Sequence, residues 1–345
     1  MFAALASGSG KTTVTCAFLR AMTRRGLAPA AFKAGPDYID PMFHRQVLGV
    51  PSYNLDLFFS GEAQARALLA AHSAGHGPAV LEGAMGYYDG LGGCTDTASA
   101  WHLARATDTP VVLVLRPGSS SLTLAAQVKG LLAFRAPCQI RGLLLNGCSP
   151  MLAQTLAPAL TRETGLPVFG CLPKVEGADF SSRHLGLVAA EEIPELQAKL
   201  DKLADALEQS ADLDGLLALA ASAPPLPAAP LPGEGLAPAR CRIAVARDEA
   251  FCFYYDDTLE LFRRLGAELC FFSPLQDAAL PDGCGGLYLG GGYPELHAQA
   301  LAENHAMRQA VRNAVQAGLP TLAECGGFLY LQQTLTDPEG RAWPM

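Results

Sequence analysis

Short, continuously apolar segments separated by helix-like stretches dominate the first part of the chain. The segments predicted to be strands are Pro78–Glu82, Pro110–Leu115, Gly142–Asn146 and Pro167–Leu172. Their apolar character does not alternate, which is typical of parallel strands that are covered by helices on both faces. Glu191–Gln209 has apolar residues at helical spacing and is predicted to be the last helix of this domain.

The same pattern of strands and helices starts again after residue 240. Two helices, Tyr255–Leu265 and Leu296–Ala317, are predicted from their apolar spacing. The strands predicted around them are Arg242–Arg247, Glu268–Ser273, Gly286–Gly290 and Pro320–Glu324. This arrangement indicates a second α/β unit.

Residues 223–239, with the sequence APPLPAAPLPGEGLAPA, separate the two patterns. Many prolines, a single charge and no periodicity predict a semi-rigid linker. The predicted organisation is therefore an α/β domain over residues 1–222, the linker 223–239 and a second α/β domain over residues 240–345.

Composition and charge narrow the classes of function. Half of the 345 residues are hydrophobic and 17% are charged, which supports sizeable cores and argues against a disordered chain. The net charge of −8 and the lack of a dense Lys/Arg run argue against nucleic-acid binding. Ten scattered cysteines, no secretory signal and no apolar run of membrane-spanning length predict a reduced cytoplasmic protein without membrane association.

The segment Ala6–Thr13, with the sequence ASGSGKTT, predicts a phosphate-binding loop that takes ATP. Its glycines let backbone N–H groups surround phosphate oxygens, Lys11 adds a positive charge, and the Thr12 hydroxyl can hold Mg²⁺. A helix predicted over Thr12–Arg24 directs its positive end to the same anion. Leu5 stands where the first glycine of the usual pattern is expected. The predicted nucleotide-binding residues are Gly8, Gly10, Lys11, Thr12, Thr13 and Lys33.

Acidic residues follow the phosphate loop in the Gly- and Pro-framed segment 32–41, at residues 54–56 and in the segment 81–90. We expect Glu82 to lie at the carboxyl end of a strand and Asp89 on the loop after it, where open α/β sheets bind ligands. Chemistry on Mg·ATP needs carboxylates for the metal and cations for the transferred phosphoryl group. Asp56 and Glu82, with Thr12, are predicted to hold the metal. The other residues of these segments predicted to line the site are Asp37, Tyr38, Asp40 and Asp89.

Cys325 is predicted to be a nucleophile. It follows the predicted strand Pro320–Glu324 and precedes two glycines, which is typical of a tight strand-to-helix turn that exposes a reactive side chain. Backbone N–H groups near it can form an oxyanion hole. The predicted oxyanion-hole residues are Gly291, Gly292 and Gly326.

Long sequence strings along nearly the whole chain resemble the cobyrinic acid a,c-diamide synthase family. They are GSGKTTVT, FKAGPDYIDPMFH, LEGAMGYYDG, SSRHLGLV, DEAFCFYYDDTLELFRRLGAEL, LGGGYPELH and AECGGFLYL. The resemblance implies a dethiobiotin-synthetase-like P-loop domain joined to a flavodoxin-like class I glutamine amidotransferase domain. It also implies ATP-driven amidation of the a and c acetates of cobyrinic acid through acyl phosphates, with glutamine as nitrogen donor, in cobalamin biosynthesis.

The resemblance further implies roles for individual residues. Asp37, Tyr38, Asp40, Glu82 and Asp89 match family positions that bind substrate and metal. Cys325 matches the amidotransferase nucleophile. The family's catalytic histidine lies in a Ser-His motif downstream of the nucleophile, whereas this chain has no histidine after His305. We therefore expect the glutaminase to be weak or inactive, because thiolate formation lacks its base. We also expect both ends to be truncated, because the phosphate loop begins within a few residues of Met1 and the final residues, GRAWPM, follow no predicted closing helix or strand.

The sequence leaves several alternatives open. The same chemistry on hydrogenobyrinic acid or on a nickel sirohydrochlorin fits the same residues. A different class is a P-loop ATPase that switches conformation on a partner and carries a degenerate amidotransferase domain. The acidic cluster favours the synthetase over the switch, since a switch needs fewer carboxylates at its substrate site. The oligomeric state stays open, with a homodimer among the alternatives.

Overall fold

The computed structural model describes residues 1–178, 193–227, 229–238 and 240–345 and divides the chain into two compact units. Unit 1 comprises Met1–Leu231, and unit 2 comprises Pro232–Met345. The division falls inside the proline-rich segment 223–239, so the first residues of that segment belong to unit 1. One matching string, SSRHLGLV, lies outside the described residues.

A seven-stranded sheet forms the centre of unit 1, and all of its strand pairs are parallel. The strand order is β3-β2-β4-β1-β5-β6-β7. The strands are Phe2–Ala4 (β1), Ala30–Ala34 (β2), Ser52–Leu55 (β3), Ala79–Glu82 (β4), Val111–Leu115 (β5), Ile140–Asn146 (β6) and Val168–Leu172 (β7).

Helices cover both faces of this sheet and bury its continuous apolar strands. One core cluster gathers residues of α1, α7 and α8, and another gathers residues of α4, α5 and α6. The described helices of unit 1 are Lys11–Arg24 (α1), Ile39–Phe43 (α2), Gly61–Ser73 (α3), Ala100–Ala106 (α4), Leu122–Phe134 (α5), Pro150–Thr164 (α6), Ile193–Ser210 (α7) and Leu213–Ala221 (α8).

Unit 2 has a four-stranded parallel sheet of order β11-β10-β8-β9 and a separate antiparallel pair, β12 with β13. The strands are Cys241–Ala246 (β8), Ala267–Phe272 (β9), Gly286–Leu289 (β10), Thr321–Ala323 (β11), Thr334–Thr336 (β12) and Ala342–Pro344 (β13). The helices are Asp256–Arg264 (α9), Ala298–Glu303 (α10), His305–Gln316 (α11) and Gly326–Tyr330 (α12).

The predicted α/β fold with mostly parallel sheets is confirmed, and the eight predicted strands are β4 to β11. The predicted helix Leu296–Ala317 was wrong as one element, because Asn304 ends α10 and its side chain accepts from the Met307 N–H to start α11. Among the described residues, no helix is both long and apolar enough to cross a membrane.

Candidate functional site

The phosphate-loop candidate joins β1 to α1 and is closed by a contact from β6. Gly8 and Gly10 have φ values of +76° and +90°, in the left-handed region that glycine enters without a Cβ penalty. A Cβ on Gly10 would lie 2.0 Å from Nδ2 of Asn146. That Nδ2 donates a hydrogen bond to the Ser9 carbonyl at 2.9 Å. Glycine at position 10 therefore lets the end of β6 pack directly against the loop.

Lys11 begins α1 and is buried at the mouth of this loop. Its Nζ donates to the carbonyl oxygens of Ala6 at 3.2 Å and Met85 at 2.5 Å. Burial lowers the pKa of Lys11, and the nearby Glu82 carboxylate opposes that effect. The ammonium group thus stands beside the first turn of α1, where the helix dipole also favours an anion.

A buried ionic network links α1 to β2, β4 and α2. Lys33 and Glu82 are register partners on β2 and β4, and Lys33 Nζ donates to Glu82 Oε1 at 2.7 Å. The same Nζ donates to Asp40 Oδ2 at 2.5 Å. The Thr12 hydroxyl donates to Glu82 Oε1 at 2.6 Å. Residues predicted separately for nucleotide, substrate and metal therefore form one connected cluster.

The ionisation of this cluster is set by burial and by mutual charge. Burial alone lowers the pKa of Lys33, but the carboxylates of Glu82, Asp40 and Asp37 together raise it above its ordinary value. Burial and the Glu82 charge raise the pKa of Asp40, while Lys33 opposes them. Burial and the Asp40 charge likewise raise the pKa of Asp37. Lys33 is accordingly a stable cation that these acids share.

The cluster fits a divalent cation such as Mg²⁺. The second carboxylate oxygen of Glu82, Oε2, is buried and has no hydrogen-bond partner among the described residues. Four carboxyl groups act on the two lysines of this cluster, so acidic groups outnumber the cations. Carboxylate and hydroxyl oxygens are the ligands that Mg²⁺ prefers. Glu82 and Thr12 therefore have the chemistry that the predicted metal site requires.

Asp56, the third predicted metal ligand, has a different local setting. It follows β3, and β2 stands between β3 and the strand that carries Glu82. Its Oδ1 accepts the backbone N–H groups of Phe58 at 2.7 Å and Phe59 at 3.2 Å. Asp56 thus fixes the turn after β3, and its role as a metal ligand stays a prediction.

The residues predicted to bind substrate lie on loops and a short helix around the cluster. Asp37 Oδ1 accepts from the N–H groups of Ile39 and Asp40 and so caps α2, while Tyr38 is the residue before this helix. Asp89 Oδ2 accepts from the Gly86 N–H at 2.9 Å and closes the loop after β4. One oxygen of each carboxylate therefore maintains local backbone structure.

In unit 2, Cys325 occupies a strained turn between β11 and α12. Its φ of +47° and ψ of −109° lie outside the regions that residues with a Cβ prefer. The thiol side chain is exposed. The Gly327 N–H donates to the Gly290 and Glu324 carbonyls, both at 2.8 Å, and ties this turn to the end of β10. Backbone strain at an exposed cysteine is the geometry predicted for a nucleophile.

The predicted oxyanion-hole glycines surround this turn. A Cβ on Gly291 would lie 3.5 Å from the Cys325 Cβ, and one on Gly326 would lie 3.2 Å from the Gly292 nitrogen. At Gly292, φ is +155° and a Cβ would lie 2.1 Å from the Ala250 carbonyl oxygen. Close backbone packing beside this turn therefore requires glycine at position 292, where a Cβ would overlap the Ala250 carbonyl oxygen.

Three residues that support these sites were missed by the sequence reasoning. Asn146 ends a predicted strand, so the rule that ligands bind at strand ends could have found it. Tyr254 accepts the Gly290 N–H at 2.9 Å and donates to the Ala246 carbonyl, which holds the glycine loop. His44 is fully buried beside the ionic cluster, with Nδ1 3.0 Å from Ser52 Oγ. Tyr254 and His44 lie within two of the strings that match the family, but their residue types and positions in those strings do not indicate the contacts they make.

Comparison with known proteins finds one family model within each unit of the chain. Residues 1–187 match the CobQ/CobB/MinD/ParA nucleotide binding domain, and residues 242–345 match the CobB/CobQ-like glutamine amidotransferase domain. A cobyrinate a,c-diamide synthase of Gloeobacter violaceus is 44% identical over the whole chain, which covers 76% of that protein. The chain belongs to the cobyrinate and hydrogenobyrinate a,c-diamide synthase family.

Two further relatives show how the diamide synthase family varies. A hydrogenobyrinate a,c-diamide synthase of Pseudomonas aeruginosa is 45% identical over 99% of this chain and 75% of its own length. A cobyrinate a,c-diamide synthase of Synechocystis sp. is 39% identical over 98% of this chain and 71% of its own length. Sequence identity to these relatives therefore does not indicate which of the two tetrapyrroles, cobyrinate or hydrogenobyrinate, this chain would take.

Proposed function

We propose that the chain amidates the a and c acetate carboxylates of cobyrinic acid, with ATP as the activating substrate and glutamine or ammonia as the nitrogen source. The observation that carries this proposal is the buried network of Lys33, Glu82 and Thr12 at the foot of a phosphate loop. A nucleotide-binding domain and a glutamine amidotransferase domain in one chain support the same pairing of chemistries.

A carboxylate resists attack by ammonia because its leaving group would be oxide. In the proposed reaction a carboxylate oxygen attacks the γ-phosphorus of ATP, the bond to the β-phosphate oxygen breaks, and ADP leaves. Ammonia then attacks the carbonyl carbon of the acyl phosphate. Inorganic phosphate leaves with the bonding electron pair, and the ammonium proton is lost to solvent.

The residues of unit 1 have separate tasks in this scheme. The glycines of the loop and Lys11 bind the β- and γ-phosphates, and Lys33 stabilises the charge of the transferred phosphoryl group. Thr12 and Glu82 would hold Mg²⁺, which supplies neutralisation of phosphate charge when it is bound. The substrate side of the site would be lined by Asp37, Tyr38, Asp40 and Asp89. Each of these roles is part of the proposal.

Cys325 would serve the second task, the release of ammonia from glutamine. A thiolate attacks the side-chain amide carbon, and backbone N–H groups of Gly291, Gly292 and Gly326 stabilise the oxyanion. The C–N bond then breaks, ammonia leaves with a proton taken from solvent, and water hydrolyses the thioester to glutamate and the free thiol. The strained, exposed turn supports this role. The weak glutaminase expected from the sequence stays a prediction, as do a cytoplasmic location and a homodimer. All ten cysteines, each within the described residues, are free, as reducing surroundings would keep them.

Product analysis tests the proposal. The protein is incubated with Mg·ATP and either ¹⁵N-ammonium or amide-¹⁵N-glutamine, with cobyrinic acid or hydrogenobyrinic acid as acceptor, and mass spectrometry follows incorporation. The expected result is ¹⁵N in two carboxamides of cobyrinic acid. Incorporation into hydrogenobyrinic acid alone would identify hydrogenobyrinic acid as the substrate, the tetrapyrrole in the name of the Pseudomonas aeruginosa relative. Absence of product from both acceptors in folded protein would contradict the proposal.

Two matched lysine variants make this experiment specific. Lys11→Ala removes the buried ammonium of the phosphate loop and should abolish incorporation. Lys129→Ala removes an exposed lysine of α5 that pairs with Glu163 at 3.4 Å, and should leave incorporation unchanged.

A further inference from the structure

Two phenylalanines in unit 1 are exposed side by side at the sheet edge that carries the candidate site. The exposed fractions of Phe58 and Phe59 are 61% and 71%. Their rings pack edge to face with centroids 5.3 Å apart. Adjacent exposed aromatic side chains, such as those of this aromatic pair, are candidates for a binding surface.

The turn that presents the aromatic pair is held rigidly. Asp56 Oδ1 accepts the N–H groups of both phenylalanines, and its carbonyl accepts the N–H of Ser60 at 3.1 Å. Leu57, within the same turn, packs against the apolar core of unit 1. A preorganised aromatic surface loses little conformational entropy when a ligand covers it. The buried Asp56 carboxylate thus positions the backbone of the two phenylalanines.

The aromatic pair is connected to the phosphate site through the backbone. β3 pairs with β2 so that Asn54 lies in register with Lys33. The Asn54 side chain donates to the carbonyls of Gly35 at 2.9 Å and Asp37 at 2.7 Å, which joins the end of β3 to the acidic segment. β3 lies two strand spacings, about 10 Å, from the strand that carries Glu82.

We propose that Phe58 and Phe59 form the surface on which the apolar face of the tetrapyrrole macrocycle rests while one of its acetates reaches the phosphate site. This inference rests on the proposed function. The reacting carboxylate lies at the tip of a side chain at the rim of a large ring. When that carboxylate is beside Lys33 and Glu82, the ring must lie some distance to one side. The aromatic pair offers apolar area at that distance and on the same sheet edge.

A binding measurement with three variants tests the proposal. The dissociation constant of cobyrinic acid is measured by absorbance or fluorescence titration with Mg²⁺ and a non-hydrolysable ATP analogue. Phe58→Ala/Phe59→Ala should raise it about tenfold or more, as loss of buried aromatic anchors does. Phe58→Tyr/Phe59→Tyr should restore it, since the rings remain. The matched control is Phe134→Ala, a 55% exposed phenylalanine at the carboxyl end of α5, which should leave binding unchanged.

Further readouts separate this role from others. The affinity for the ATP analogue and the denaturant midpoint should stay constant in the double alanine variant, because Asp56 holds both phenylalanines through their backbone N–H groups. A tetrapyrrole affinity equal to that of the wild type would overturn the proposal. Equal affinity together with loss of a wild-type dimer in light scattering would overturn it and assign the pair to self-association. A wild-type chain that neither binds nor amidates either tetrapyrrole would refute the proposed function before any variant is compared.

Discussion

At the scale of single residues, Glu82 lies at the centre of the candidate synthetase site. One of its oxygens accepts from Lys33 and Thr12, and the other has no partner among the described residues. The sequence predicted all three side chains as functional from their positions after strands or glycines. It could not predict their pairing, because Lys33 and Glu82 become neighbours only when β2 and β4 pair in register.

Glu82→Gln should abolish the Mg²⁺-dependent part of ATP binding. The amide removes the negative charge from the oxygen that would hold the metal, so Mg²⁺ should no longer increase ATP affinity. Lys33 keeps Asp40 as a partner, and the free energy of unfolding should fall by about 1–3 kcal/mol. Calorimetric titration of ATP with and without Mg²⁺ measures the first effect. Glu62→Gln, at an exposed carboxylate of α3, is the control, and a metal effect retained in Glu82→Gln would contradict the assignment.

His44 predicts a pH dependence of stability. Burial lowers the pKa of this histidine from 6.5 to about 4; the Asp40 charge opposes the shift, and Lys33 and Arg45 add to it. The unfolded chain therefore binds a proton below pH 6.5 that the folded chain binds only below about pH 4, so stability falls as the pH drops between these values. Over that range the wild type should lose about 3 kcal/mol more than His44→Gln. Urea unfolding at several pH values measures the difference, and parallel curves would contradict it.

At the scale of secondary-structure elements, continuously apolar strands were predictable from the sequence, and short strands that contain a polar residue were not. β4 to β7 are continuous apolar runs and were found from the sequence. β2 and β3 were missed because Lys33 and Asn54 interrupt short segments that tertiary pairing completes. The five-residue helix α2 was missed because Gly35 and Pro41 predict irregular backbone, whereas a proline in a first helical turn costs no hydrogen bond. Polar residues of the candidate site therefore interrupt the apolar pattern by which these elements could have been predicted.

Two glycines of the phosphate loop have similar backbone conformations but different surroundings, and we predict different effects of their substitution on stability. Gly8→Ala and Gly10→Ala each place a Cβ at positive φ, which costs about 1–2 kcal/mol. Only the Cβ of Gly10→Ala also meets Asn146, whereas nothing lies within 4 Å of a Cβ at Gly8. Gly10→Ala should therefore lower the free energy of unfolding distinctly more. Denaturant titration of both variants decides this, and equal losses would mean that the Asn146 contact does not fix the loop.

The whole molecule combines an activating unit and a nitrogen-supplying unit, each with its own chemical site. Composition and spacing sufficed to predict the α/β fold with mostly parallel sheets, whereas the residues of each site stay predictions. The contacts that organise those sites, such as Asn146 on the loop or Tyr254 on the glycines, depend on tertiary packing that spacing does not encode. Because each candidate site lies in its own unit, we predict that carboxylate activation and glutamine hydrolysis can be abolished separately by substitution.

Cys325→Ala should stop amidation from glutamine and leave amidation from ammonium unchanged. The reason is that, in the proposed reaction, residues of unit 1 activate the carboxylate, whereas Cys325 acts only on glutamine. Rates from the two nitrogen sources, measured by ¹⁵N incorporation, check this. Cys241→Ala, at an exposed cysteine of the same unit, serves as control. A parallel fall in the ammonium-driven rate would show that Cys325 also supports the synthetase reaction.

The central claim is that unit 1 activates a carboxylate as an acyl phosphate, and oxygen transfer tests it most directly. Cobyrinic acid labelled with ¹⁸O in its carboxylates is incubated with the protein, Mg·ATP and ammonium, and the phosphate-containing products are analysed by mass spectrometry. The account predicts one ¹⁸O in inorganic phosphate for each carboxamide formed, with unlabelled ADP. Label in AMP, or amide formation without label in phosphate, would contradict it.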